Sequence, residues 1–257
     1  MPLKQPSSLT ERTLVLAAGA SVYLLILATF AYLIAFVLDL PVPRTLNRMP
    51  ETCGELAQSW AIAINAGLLG LFGVQHSIMA RTWFKRWLIR SVHPGLERSA
   101  YCLATCIVLG CLFAFWTPIQ GVVWKVESSA VGWLLRGLAA AGFGLVFLAS
   151  CLLNHFELFG LARPLRVFRQ QPEPQICFRE PGLYRWMRHP IYTGMLFAVW
   201  STPNMTYGHL LFAVLSSAYI MVGSRLEEID LADTLGKPYR DYQERVGRFF
   251  PRLLGRS

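Results

Sequence analysis

Charge is scarce in this chain. Asp, Glu, Lys and Arg make up 15% of its 257 residues, where a soluble globular domain carries about a quarter. Hydrophobic residues make up 54%, which excludes an ordinary water-soluble fold of this size. Acid is scarcer than base: 15 Asp and Glu stand against 24 Lys and Arg, a formal net charge of +9. Cysteine is sparse and poorly placed for chemistry. There are 6 cysteines and no Cys-x-x-Cys pair. Cys102, Cys106, Cys111 and Cys151 lie inside apolar runs, where cysteine packs as a small hydrophobe. Cys53 and Cys177 fall in the connecting segments. Cys102 and Cys106 share a helix face, but zinc needs more ligands nearby, so no metal site is expected. Fixed-period repeats and low-complexity tracts are also missing, which excludes a solenoid or a biased disordered tail.

What the chain has instead is long uncharged runs. Leu14 to Leu38 holds no Asp, Glu, Lys or Arg, and a bilayer core needs about 20 apolar residues. Further spans are expected at about Ser59–Ala80, Ser99–Ile119 and Ala130–Leu153, the last interrupted by Arg136. Ile191 to Ser224 is also uncharged but too long for one span. Pro203-Asn204 and Gly208 break it near the middle. The reading is a pair of short helices, each barely crossing the core. The first run is too long for a signal-peptide core of 7–15 residues and is expected to be retained. The fold class is therefore all-α: a polytopic transmembrane bundle of five or six spans with a cytosolic connector and a C-terminal helix. Residues 1–257 read as one domain, with a four-span part over about 14–161 and a connector, hairpin and terminal helix over about 162–257.

The basic residues set the orientation. Arg81, Lys85, Arg86, Arg90 and Arg98 follow the second span. Arg163, Arg166, Arg169, Arg179, Arg185 and Arg188 fill the connector, and six more follow Arg225. The other face has only Arg44, Arg48 and Lys125. Both termini and both basic clusters are thus expected in the cytoplasm. Lys and Arg beside anionic lipid need no nucleic acid to explain them, and none is expected as a partner.

Two polar clusters flank the Ile191–Ser224 hairpin. The first runs from Pro181-Gly182-Leu183-Tyr184 through Arg188-His189-Pro190 to Tyr192 and Gly194. The second holds Glu227-Glu228, then Tyr239 and Tyr242. Folding the hairpin brings them to one membrane face. Pro190 suits a first helical turn, whose free N–H groups favour an anion such as a carboxylate. Pro181-Gly182 reads as a turn. Tyr184, Trp186 and Tyr192 offer flat faces to an adenine or a sulfonium. Glu227 and Glu228 either accept from ribose hydroxyls or an ammonium, or close a salt bridge with Arg225, Arg188 or Arg240.

In this order the elements Gly182-Leu183-Tyr184, Arg188-His189-Pro190, Tyr192, Gly194, Glu227-Glu228, Leu231, Gly236, Tyr239 and Tyr242 resemble the integral-membrane methyltransferase family that includes isoprenylcysteine carboxyl methyltransferase. The resemblance covers roughly the last 80 residues. It implies S-adenosyl-L-methionine bound on the cytosolic side by Pro181, Gly182, Leu183, Tyr184, Arg188, His189, Pro190, Tyr192, Gly194, Glu227, Glu228, Tyr239 and Tyr242. A narrower resemblance, to the bacterial methanethiol S-methyltransferases, spans nearly the whole chain. It rests on Gln75-His76-Ser77-Ile78-Met79-Ala80-Arg81, Glu97-Arg98-Ser99-Ala100-Tyr101, Asn154-His155-Phe156-Glu157-Leu158-Phe159-Gly160 and the Trp200–Ala213 stretch. Leu161-Ala162-Arg163-Pro164 departs from it, where a more polar continuation is expected.

The implied reaction moves a methyl group onto methanethiol, a small volatile thiol, giving dimethyl sulfide at a bacterial inner membrane. The thiolate is the nucleophile, and a simple thiol is mostly protonated at neutral pH, so a base helps. His76, His155 and His189 are the candidate histidines. His76, His155 and Glu228 are the expected catalytic residues, while His209 should lie at the far face. Two rival readings stand beside this one: a prenylcysteine or lipid methyltransferase of the same family, and a non-catalytic accessory protein of nitrogen-oxide metabolism.

Overall fold

The computed structural model describes residues 8–50, 57–174 and 178–252. Cys53, Cys177 and the last five residues lie outside them. Among the described residues five helices are long and apolar enough to cross a membrane. They are α1 (Leu9–Val37), α2 (Gln58–Ala80), α4 (Glu97–Phe115), α5 (Ser129–Leu153) and α9 (Tyr207–Leu235). Between them lie α3 (Thr82–Leu88), α6 (His155–Leu158), α7 (Ala162–Arg169) and α8 (Pro190–Trp200), and α10 (Lys237–Arg245) follows α9. The chain is an all-α polytopic bundle.

Local chemistry sets the helix ends. Ser8, Ser128 and Thr206 each accept a hydrogen bond from the backbone N–H three residues on, which satisfies one orphan donor of a first turn. Asn154, at φ 101°, stops α5 in the left-handed region, and its side chain caps α6 by accepting from Glu157 N–H. Gly236, at φ 66°, ends α9, where a side chain would be strained.

The hairpin differs from its sequence reading. Its two helices are unequal: α8 has 11 residues and α9 has 29. At 1.5 Å per residue α8 reaches only about 16 Å, half a bilayer core. Ser201 to Thr206 turns the chain, and α9 then runs on past the expected stop at Ser224. Glu227 and Glu228 are therefore inside a helix rather than after it. The turn carries a second unexpected feature. Asn204–Thr206 (β2) pairs antiparallel with Val122–Lys125 (β1), Val122 opposite Thr206 and Lys125 opposite Asn204. The pairing gives the turn's backbone polar groups partners, a requirement where water is scarce.

α8 can be short because α5 lets it approach. At Gly142 a Cβ would sit 2.6 Å from the carbonyl oxygen of Gly194, so the two backbones touch at glycines on both sides, as small residues permit between membrane helices. A Cβ at Gly19 would collide with the ring of Pro164. The departure at Leu161–Pro164 thus packs α7 against α1.

The core and the polar groups occupy opposite ends. Phe36, Leu112, Trp116, Val199, Phe212 and Ala213 are buried together toward the end that carries the β1–β2 ribbon. Asn65 spans that end by accepting from Thr117 N–H and donating to Thr117 C=O. His209 lies there too, its Nε2 bonded to Val199 C=O. The basic end is laced by side chains: Arg12 to Phe168 C=O, Arg81 to Asp230, Arg98 to Leu158 C=O and Arg163 to Glu97. The loops expected to share a face do share one.

Candidate active site

At the basic end the two polar clusters meet. Glu228, 4% exposed, receives Arg188 Nε at 2.8 Å and His189 Nε2 at 3.1 Å on Oε1, and Arg248 Nη2 at 2.6 Å on Oε2. A buried carboxylate needs such partners. Arg188 also donates to the carbonyls of Gln243 and Val246. The backbone repeats the tie: Arg188 N–H bonds Gly247 C=O and His189 N–H bonds Arg248 C=O. Thr193 Oγ donates to Phe249 C=O at 2.8 Å. Connector, α9 and the segment after α10 are thus one knot with Glu228 at its centre. Of the three arginines expected as carboxylate partners, only Arg188 takes the role. Arg248, which sequence reasoning counted only as topology, supplies the second guanidinium.

Tyr239 and Tyr242 close the knot's outer side. They pack with Phe178, Leu231 and Leu235, and Tyr242 O–H donates to Tyr184 C=O. Burial pushes the phenol of Tyr242 up to about 12 and that of Tyr239 higher still. Tyr184 is buried with its hydroxyl toward Ala149 C=O. Trp186 is 67% exposed, so it belongs to the interface rather than to a site. Gly182, at φ 50°, sits against Leu152, next to Pro181 and Leu183 in the turn that leads to the knot. Pro190 opens α8. Gly194 faces α5 and lies in the helix crossing, not among the polar groups.

Glu227 has the opposite character. It is exposed on the other side of α9, where Tyr192 O–H donates to its Oε2 at 2.9 Å and His189 Nδ1 lies 3.8 Å away. The His189 ring stacks on Tyr192 at 5.3 Å. Tyr192, Tyr101, Tyr219 and Glu227 lie within electrostatic reach of one another. His76 completes this wall: its ring lies 4.9 Å from Tyr101, 5.2 Å from Phe72 and 6.3 Å from Tyr219. Its Nδ1 is buried without a hydrogen-bond partner among the described residues. An orphaned ring nitrogen packed against Tyr101 and Tyr219, in the wall that also carries the exposed carboxylate of Glu227, marks a place suited to a ligand. Tyr101 closes the Glu97–Tyr101 motif of the narrower resemblance but was given no role there, and Tyr219 was not singled out from sequence. A lone tyrosine in an apolar run is a signal that any buried helix also shows.

His155 stands elsewhere. It lines a cavity of about 970 Å³ with Tyr23, Phe147, Cys151, Arg179 and Pro181. Ser150 Oγ donates to Phe147 C=O, so it accepts from His155 Nδ1–H at 2.9 Å, which leaves Nε2 as the free acceptor. Burial lowers the basicity of His155. His76 and His155 therefore belong to separate aromatic walls. No cluster of three or more His, Cys, Asp or Glu able to hold a metal occurs among the described residues.

The chain is 46% identical to the methanethiol S-methyltransferase of Pseudomonas sp. (strain GM41(2012)) over 230 residues, 90% of this chain and 87% of that one. It is 42% identical to the methanethiol S-methyltransferase of Mycobacterium tuberculosis over 241 residues, 94% of this chain and 97% of that one. Nurim of Xenopus laevis is 30% identical over 199 residues, 70% of this chain and 69% of its own. No family model and no solved structure matches the chain.

Proposed function

The chain belongs to the methanethiol S-methyltransferase family, and we propose that it methylates methanethiol to dimethyl sulfide from S-adenosyl-L-methionine at the cytoplasmic face of a bacterial inner membrane. The observation that carries this reading is the wall formed by Glu227, Tyr192, Tyr101, Tyr219 and the orphaned Nδ1 of His76. Its chemistry fits the donor. A free carboxylate suits ribose hydroxyls or an ammonium, and electron-rich rings suit a sulfonium. When bound, S-adenosyl-L-methionine supplies a methyl group on a cationic sulfur.

The chain's own residues supply position and a proton acceptor. Glu227 and Tyr192 hold the donor side, and the knot around Glu228 fixes Arg188, His189 and Tyr192 relative to α9. Holding two reactants at near-attack distance removes a large part of the barrier. His76 takes the thiol proton at a ring nitrogen as the sulfur becomes a nucleophile. The tyrosine faces keep the pocket apolar enough to exclude water and admit a small thiol, so no charged acceptor clamp is needed. His155 is the second candidate base, favoured by its place on the lining of the cavity beside Tyr23 and Phe147. The relatives' names give no support to the lipid-methyltransferase or accessory-protein readings.

The test is headspace gas chromatography of cells expressing the chain and fed methanethiol. Dimethyl sulfide above the vector control is expected, and none would defeat the substrate. In purified protein His76→Ala should lower the rate most at low pH, where little thiolate pre-exists, and spare donor binding. The same loss in His155→Ala alone would move the base to the second cavity.

A further inference from the structure

The basic end holds many cations, and nearly all that face inward are matched. Glu228 takes Arg188 and Arg248, Asp230 takes Arg81, Glu97 and Glu173 take Arg163, and Glu157 and Glu173 take Arg166. Two cations, one over the Tyr101 ring and the other near the first, have no carboxylate within 4.0 Å among the described residues. One is Arg98. Its guanidinium lies 4.5 Å over the Tyr101 ring and donates from Nε to Leu158 C=O at 2.8 Å. These contacts fix the plane and leave the terminal nitrogens for another partner. The other is Lys85 on α3, whose side chain makes no hydrogen bond among the described residues and sits among Glu97, Arg98, Arg163 and Asp230. Burial, aided by the neighbouring guanidiniums, lowers its basicity despite the two carboxylates. Glu97 and Asp230 are engaged by Arg163 and Arg81, so a further anion would be met by the unpaired charges of Arg98 and Lys85.

The geometry points to Arg98 and Lys85 as the carboxylate-binding corner of the donor site, facing the α-carboxylate of an S-adenosyl amino acid on the far side of Tyr101 from Glu227. This inference rests on the donor reading above. The amino-acid end of such a molecule is a zwitterion, and the wall presents its complement: the exposed Glu227 carboxylate on α9 and Tyr101's guanidinium neighbour on α4. Arginine suits the task, since its planar fork matches a carboxylate with two parallel hydrogen bonds. Lys85 adds a mobile point charge from the rim. The corner also gives α3 a purpose, because a seven-residue helix with a half-buried lysine otherwise only spaces α2 from α4.

The test compares two probes on the detergent-purified full chain by calorimetry. S-Adenosylhomocysteine carries the amino-acid end, and 5′-methylthioadenosine lacks it. Lys85→Gln and Arg98→Gln should each weaken S-adenosylhomocysteine at least about tenfold, the scale of one charge-assisted hydrogen bond, and leave 5′-methylthioadenosine unchanged. Lys85 makes no structural bond, so its variant should fold even if Arg98→Gln does not. Equal losses for both probes would assign the residues to the scaffold and overturn the corner, as would unchanged affinity for both. A parent chain that binds neither probe would overturn the donor reading and this corner with it.

Discussion

Glu228 shows what a residue's surroundings add to its sequence reading. From sequence it was a carboxylate at a helix end, either a ligand group or one half of an ion pair. In the fold its two oxygens receive Arg188, His189 and Arg248, so its effect on the site is to position others. Removing one partner of a buried ion pair costs about 3–5 kcal/mol, and here the guanidiniums of Arg188 and Arg248 would lose their anion at once. Glu228→Ala should therefore lower the detergent melting temperature sharply, whereas Glu227→Gln should leave it nearly unchanged; equal melting temperatures would contradict the division of labour. Tyr242 offers a pH test. Its phenol is raised from 10.0 to about 12 by burial, so the folded state prefers the protonated form. The contribution is complete below pH 10 and disappears as pH rises toward 12. Alkaline unfolding monitored over that window should be less steep in Tyr242→Phe, which also loses the bond to Tyr184 C=O, worth about 1 kcal/mol.

At the scale of elements, the α5–α8 crossing decides where the connector enters the membrane. Gly142 and Gly194 place backbone on backbone, which lets a helix of 11 residues anchor firmly. The physical consequence is that α8 delivers His189 and Tyr192 at a fixed height beside α9. Gly194→Val should push α8 away, with overpacking costs of about 1–3 kcal/mol or more. Loss of 5′-methylthioadenosine binding together with reduced thermal stability is expected, although residue 194 is not in the pocket. A fully stable, binding-competent variant would show that the close crossing is dispensable. The β1–β2 ribbon was invisible in the sequence because Val122–Lys125 and Asn204–Thr206 are short and far apart. Neither segment alternates enough to read as a strand. They pair only because the α8–α9 turn is brought under the α4–α5 loop.

For the whole molecule, the arrangement separates a packed aromatic core at one end from a polar, basic end at the other. The positive-inside rule then orients it: a fluorescent-protein fusion at Ser257 should glow, and an alkaline-phosphatase fusion there should be inactive. High phosphatase activity would invert the topology and put the site on the wrong side for a cytosolic donor.

The sequence by itself determined the membrane class, the approximate spans, the basic face and the meeting of the 181–194 and 227–242 clusters. Those follow from runs of hydrophobic residues, charge asymmetry and one hairpin, all of which are local or one-dimensional. Tertiary structure alone decided that α8 is short and α9 long, because their lengths depend on a glycine crossing with α5 and a ribbon formed 80 residues upstream. It also decided which side of α9 is buried. Neighbouring carboxylates on a helix point about 100° apart, so Glu228 enters the knot while Glu227 stands on the side of Tyr192, Tyr101 and Tyr219, and no pattern in the chain distinguishes the two.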